Sequence, residues 1–140
     1  MVHALEEIHR VLAPTGTLLD LRPLAGRWPV EIEEAGHILE IGRLTDLPLG
    51  LSDDQAANLS VKTAAKEGLY RRGNELHFPL YIYWDDPDEM IGYVAEKWAD
   101  FVIIDEHIQN YIHAAWEVSG TGKRIRIKLK MLLTRWNKRV

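Results

Sequence analysis

Apolar residues recur at helical spacing from the start of the chain. Leu5, Ile8 and Leu12 form a stripe that Val11 widens, while Glu6, Glu7 and Arg10 fall outside it. Pro14 and Gly16 end that helix, because proline lacks an amide donor and glycine tolerates left-handed dihedrals. The run Thr17 to Leu21 is short and mostly apolar, the pattern of a strand covered on both faces. The period then shortens to two. Trp28 to Glu33 alternates apolar with acidic, Ala35-Gly36 supplies a tight turn and His37 to Gly42 returns. A hairpin is therefore predicted inside otherwise irregular structure from Leu24 to Gly50.

Thr45 to Leu51, with Pro48 and Gly50, reads as loop. Ser52 opens a second helix, since Gln55 three residues on completes a capping box. Ala57, Val61, Ala64 and Ala65 give it a small-residue face, and Gly68 is placed to end it. Arg71-Arg72-Gly73-Asn74 reads as a turn before an aromatic strand from Glu75 to Trp84. Leu76, Phe78, Leu80, Ile82 and Trp84 lie on one face of that strand, and His77, Tyr81 and Tyr83 on the other. Pro79 inside the run confines it to an edge or a bulge. Asp86 as cap, Pro87 at the first helical position and Glu89 in the box start a third helix, which buries Met90, Ile91, Val94 and Trp98. A fourth, from about Asp105 to Val118, aligns Ile104, Ile108, Tyr111, Ile112 and Ala115. From Lys123 to Trp136 the alternation is plainest: Ile125, Ile127, Leu129 and Met131 interleave with Arg124, Arg126, Lys128 and Lys130.

The elements add up to an α/β fold with a short mixed sheet flanked by helices. At 140 residues it is expected to be one domain. Residues 1–22 would give a helix and the first strand, 23–51 a loop and hairpin, and 52–140 helices and two antiparallel strands. With no cysteine, disulfides, iron-sulfur clusters and thiolate zinc sites are excluded, and an intracellular, cytoplasmic protein is expected. No apolar run approaches the roughly 20 residues of a membrane span. The net charge of −4 is unevenly spread, because residues 121–140 hold eight of the 17 Lys and Arg and none of the 21 acids. Such a tail raises the question of nucleic acid. The alternating pattern instead suggests cations standing opposite Glu31, Glu33, Glu34 and Glu40 of the hairpin, and no nucleic-acid partner is expected.

Candidate chemistry is sparse. His107 and His113 are six apart on one helix, and His3, His9, His37 and His77 lie in different elements, so no pair has metal-ligand spacing. No serine sits in a nucleophile turn. In the acidic cluster Asp85, Asp86, Asp88 and Glu89, two members are already a helix cap and its box. No catalytic, cofactor-binding or metal-binding residue is assigned.

The stretch Ala4-Leu5-Glu6-Glu7-Ile8-His9-Arg10-Val11-Leu12-Ala13-Pro14-Thr15-Gly16-Thr17-Leu18-Leu19-Asp20-Leu21-Arg22-Pro23 resembles the late helix, turn and fifth strand of class I S-adenosylmethionine-dependent methyltransferases of the small-molecule, type 11 kind. In that family a pattern L-x-E-I-x-R-V-L-x-P-G-G-x-L-L closes the second half of the cofactor-binding sheet. Ala13-Pro14-Thr15-Gly16 departs from the usual Lys-Pro-Gly-Gly. Glu67-Gly68-Leu69-Tyr70 and Tyr83-Trp84-Asp85-Asp86-Pro87-Asp88-Glu89-Met90 are similar to its C-terminal part. The resemblance implies the C-terminal half of that Rossmann-like fold, with the first strand paired to the last and the last paired antiparallel to the aromatic one.

It also implies S-adenosylmethionine as cofactor, but the glycine-rich strand-turn-helix that cradles it is absent from these residues. Gly36, Gly42, Gly50, Gly68, Gly73 and Gly92 stand singly. The expected function is therefore that of a methyltransferase-like protein without independent catalytic activity. One alternative is a methyltransferase subunit active on a small molecule when a partner completes it. The other is a non-enzymatic binding or assembly module. Ligands of open α/β sheets bind beyond the carboxyl ends of strands, which makes Arg22, Leu24, Trp28, Tyr81, Tyr83, Trp84 and Asp85 the candidate pocket. An uncovered edge at Thr17–Leu21 would invite a homodimer or an obligate partner through that strand or the helix before it.

Overall fold

The computed structural model describes residues 2–140. Four helices, α1 (Val2–Val11), α2 (Pro48–Lys66), α3 (Pro87–Lys97) and α4 (Glu106–Val118), accompany seven strands. These are β1 (Thr17–Leu24), β2 (Pro29–Glu34), β3 (His37–Arg43), β4 (Thr45–Asp46), β5 (Tyr70–Trp84), β6 (Val102–Ile103) and β7 (Lys123–Lys138). The architecture is α/β with a mostly antiparallel sheet flanked by helices. β7 is the common strand, pairing with β1, β2 and β5, while β3 extends the sheet beyond β2. The expected pairing of first strand with last, and of last with the aromatic strand, is present. Contacts divide the chain into two compact units. The first comprises residues up to 24 with 52–78 and 131–140, and the second comprises 25–51 with 79–130.

In the first unit, α1 buries Leu5 against Ala64, Tyr70 and Trp136, with Leu12, Leu18, Val61, Ala65 and Leu69 packed around them. Ala64 allows close approach of α2, as its small-residue face predicts. Val11, expected in the apolar stripe of α1, is instead 62% exposed. The helix stop is also as predicted. Gly68 has φ +83°, its amide donates to Ala65 O at 3.1 Å, and the Leu69 amide donates to Ala64 O at 3.0 Å, which is a Schellman closure. The Tyr70 hydroxyl donates to the Leu5 carbonyl at 2.8 Å, and burial pushes that phenol up from its ordinary value.

Two expectations fail in this unit. Thr17–Leu21 is not covered on both faces: Leu18, Asp20, Arg22 and Leu24 are half-buried, whereas Leu19 and Leu21 are 62% and 57% exposed. The reason is position, because β1 ends the strand order and has two unlike faces. Arg71–Asn74 is strand rather than turn. Gly73 lies close against β7, where an added β-carbon would sit 3.3 Å from Arg135 O and 3.2 Å from Asn137 Nδ2, a tight fit that a strand glycine avoids. Leu76, assigned to the apolar face of β5, is exposed.

The second unit packs Val30, Ile32, Ile41, Leu44, Met90, Val94, Val102, Ile104, Ile112, Ile125 and Ile127 into its core. The predicted hairpin is formed, with Ala35 and Gly36 both at positive φ, the requirement of a type I′ turn. Asp86 caps α3, accepting from the amides of Asp88 and Glu89 at 2.7 and 3.3 Å. Helix α2 begins at Pro48 rather than Ser52. Proline is well tolerated at the first helical position, so a residue read as loop starts the helix, and Ser52 falls inside it. The two-residue strands β4 and β6, which pair antiparallel, escape any periodicity. Leu80, placed on the apolar face of β5, and Tyr111, placed on the buried face of α4, are both exposed.

Candidate ligand-binding cavity

Strand and helix periods bring four sets of side chains together in the first unit. Arg22 and Leu24 come from one face of β1; Asn58, Val61 and Lys62 are spaced i, i+3, i+4 on α2; Leu132, Thr134 and Trp136 alternate along β7; and β5 adds Arg72, Glu75 and His77. They line a cavity of about 320 Å³, within the size range of small-molecule sites.

Most of its polar groups are held. The Arg22 guanidinium donates through Nε to Asp20 at 3.1 Å and through Nη2 to Asn58 at 2.9 Å. Glu75 accepts from Arg72 and from His77, and these partners hold its carboxyl below the usual range, His77 contributing most. The Thr134 hydroxyl donates to Glu75 at 3.5 Å. Asp20 Oδ2, Arg22 Nη1 and Trp136 Nε1 are buried without a hydrogen-bond partner among the described residues, and with almost no accessible surface they are closed off from the cavity. A buried polar atom left unpaired costs about 1–3 kcal/mol. Lys62, exposed on α2, forms no ion pair among the described residues.

Of the seven residues proposed from sequence, Arg22 and Leu24 line this cavity. Trp28, Tyr81, Tyr83, Trp84 and Asp85 belong to the second unit, where they fall into three other settings. Trp28 and Trp84 end a chain of aromatic rings, Trp28–Trp98–Tyr93–Trp84, with successive centroids 5.6, 5.3 and 5.4 Å apart. Tyr81 and Tyr83 lie under cations instead. Arg126 stacks over Tyr81 at 4.1 Å and Arg124 over Tyr83 at 4.2 Å. Asp85 is exposed beside the Asp86 cap.

Two cations of the basic face of β7, Arg124 and Arg126, pair with the acidic residues of β2. The register sets Arg126 opposite Glu31, Arg124 opposite Glu33 and Lys123 opposite Glu34. Arg126 donates to Glu31 at 2.6 Å, to Glu33 at 3.4 Å and to the Tyr83 hydroxyl at 2.9 Å. Burial opposes its charge, but the bonds from Tyr83 and Glu31 outweigh burial and hold the guanidinium more firmly protonated. Glu40 is the exception, since it lies on β3, opposite Glu31, and takes Arg43 as its partner at 2.7 Å.

The remaining cavity residues were not singled out in sequence. Arg72 was hidden by reading Arg71–Asn74 as a turn. Asn58 and Lys62 flank a small-residue face whose polar borders carry no signature, and Trp136 reads as the end of a core strand. Among the described residues no three His, Cys, Asp or Glu side chains gather as a metal site, and no helix is long and apolar enough to cross a membrane. No protein-family model, curated protein or solved structure matches the chain.

Proposed function

We propose that this chain is a methyltransferase-like binding module without catalytic activity of its own, and that it takes a small molecule in the cavity between α2 and strands β1, β5 and β7. The observation that carries the binding role is the cavity itself, about 320 Å³, with apolar Leu24, Val61 and Leu132 beside polar Arg22, Asn58 and Glu75 on its wall. The methyltransferase-like reading draws support from the helix, turn and strand over residues 4–23 and from the β1–β7–β5 pairing order. The lack of independent catalysis rests on chemistry: a nucleotide-sized cofactor needs closely approaching, glycine-rich main chain, and these 140 residues contain no such turn. The exposed leucines of β1 favour self-association through that strand, as a homodimer.

Thermal melting tests the module reading. A ligand that binds only the folded chain raises the midpoint in proportion to its occupancy. Small molecules that fill the cavity are expected to raise it and S-adenosylmethionine to leave it unchanged. A rise with S-adenosylmethionine, accompanied by methyl transfer to any acceptor, overturns the reading.

A further inference from the structure

A second cavity, of about 400 Å³, lies wholly within the second unit, bounded by α3, β6 and the start of α4. Ile91, Val94 and Ala95, spaced i, i+3, i+4 on α3, share one helix face and form an apolar wall. Ile103 of β6 extends the apolar surface, and Asp105, Glu106 and Gln109 bring polar groups from the first turn of α4. Its size and mostly apolar lining suit a small organic molecule.

The polar side chains are one-sided in charge. Two carboxylates line the cavity, and no Lys, Arg or His does. Asp105 accepts from the Thr45 hydroxyl through Oδ2 at 2.5 Å, whereas the Glu106 carboxylate has no hydrogen bond or ion pair among the described residues. Gln109 donates its amide N–H to the Ile104 carbonyl at 2.8 Å, which leaves Oε1 free to accept. Glu106, Ala95 and Ile103 are exposed, so this wall is open to an incoming molecule. The positive end of α4 offsets about half a charge of the two carboxylates, and more than one negative charge remains. A divalent metal ion does not match, since such ions take roughly six or more oxygens and the rest of the lining is apolar.

We propose that this cavity binds a small organic monocation, an amine whose apolar body lies against Ile91, Val94 and Ala95 while its ammonium donates to Glu106 and Gln109. The site shares no residue with the cavity of the first unit, so the two proposals stand or fall independently.

Nuclear magnetic resonance of the isotope-labelled full chain reads the site through the δ-methyl signal of Ile103, identified by its loss in Ile103→Val. Benzylamine serves as the probe, benzyl alcohol as its neutral counterpart, benzoate as an anion of the same body and calcium as a competing cation, all at constant ionic strength. A saturable shift with benzylamine is expected, with affinity for benzyl alcohol about fivefold or more weaker. Glu106→Gln, an exposed change, is expected to weaken benzylamine binding about two- to fivefold. Ala95→Leu, also at an exposed position, is expected to abolish the shift by filling the space beside the wall.

Equal or tighter binding of benzyl alcohol or benzoate, displacement of benzylamine by an equal concentration of calcium, or no saturable shift overturns the amine assignment. Unchanged benzylamine affinity in either variant overturns it as well.

Discussion

Arg126 carries a charge into the interior of the second unit, where it is 9% exposed; its Nε and Nη1 donate to Glu31, Glu33 and Tyr83, and its guanidinium lies over the Tyr81 ring. A buried ion pair contributes little over a well-packed apolar pair, but breaking it leaves one charge uncompensated. Glu31→Ala is therefore expected to destabilise the fold by about 3–5 kcal/mol in urea denaturation, while Glu31→Leu with Arg126→Met recovers most of that loss. A double variant as unstable as the single would contradict this account. Tyr70 makes a different prediction, through pH. Its phenol is raised by burial, so the neutral form is favoured in the fold. The stability it contributes is fully present below the ordinary tyrosine range and is lost as pH rises through the raised value. Tyr70 is expected to ionise above the ordinary tyrosine range in a spectroscopic alkaline titration, a step lost in Tyr70→Phe, and that substitution to cost about 1 kcal/mol at neutral pH by freeing the Leu5 carbonyl.

At the scale of elements, close packing of α4 on β3 depends on Gly42, where an added β-carbon would lie 2.6 Å from Ile108 Cγ2. Gly42→Ala is expected to cost about 1–3 kcal/mol, and Ile108→Ala in the same chain to relieve part of it, which a double-mutant cycle by chemical denaturation measures. Contacts of this kind mark where sequence reading stops. Helices α1, α3 and α4, the hairpin β2–β3 and strand β7 were legible because each carries a period, a cap or a turn residue whose cause is local: Asp86 with Pro87, Ala35-Gly36, the alternation from Ile125 to Met131. The cations of β7 could be matched to Glu31 and Glu33 for the same reason. What was not legible depends on neighbours distant in sequence. Gly73 looks like a turn residue until the backbone of β7 is set against it, Pro48 looks like a loop residue until the helix is seen to start on it, and β4 with β6 are too short to show a pattern. Little of the cavity was legible: of its eleven lining residues only Arg22 and Leu24 were singled out, by a rule for positions beyond a strand end, whereas both lie within β1. The unpaired indole of Trp136 is a property of its surroundings and has no counterpart in the sequence.

For the whole molecule, two consequences follow from the proposal. Leucines 19 and 21 stand exposed on β1, an end strand of the sheet, and such surface favours a second copy. Sedimentation velocity is expected to show a dimer that Leu19→Glu with Leu21→Glu converts to a monomer; a wild-type chain that stays monomeric at high concentration contradicts it. The second consequence concerns the methyl donor. The module proposed above has, in these 140 residues, no main-chain cradle for a nucleotide-sized cofactor. Isothermal titration of the purified chain with S-adenosylmethionine tests it most directly. No saturable heat at micromolar cofactor is the predicted result, and one molecule bound per chain with micromolar affinity would contradict the account.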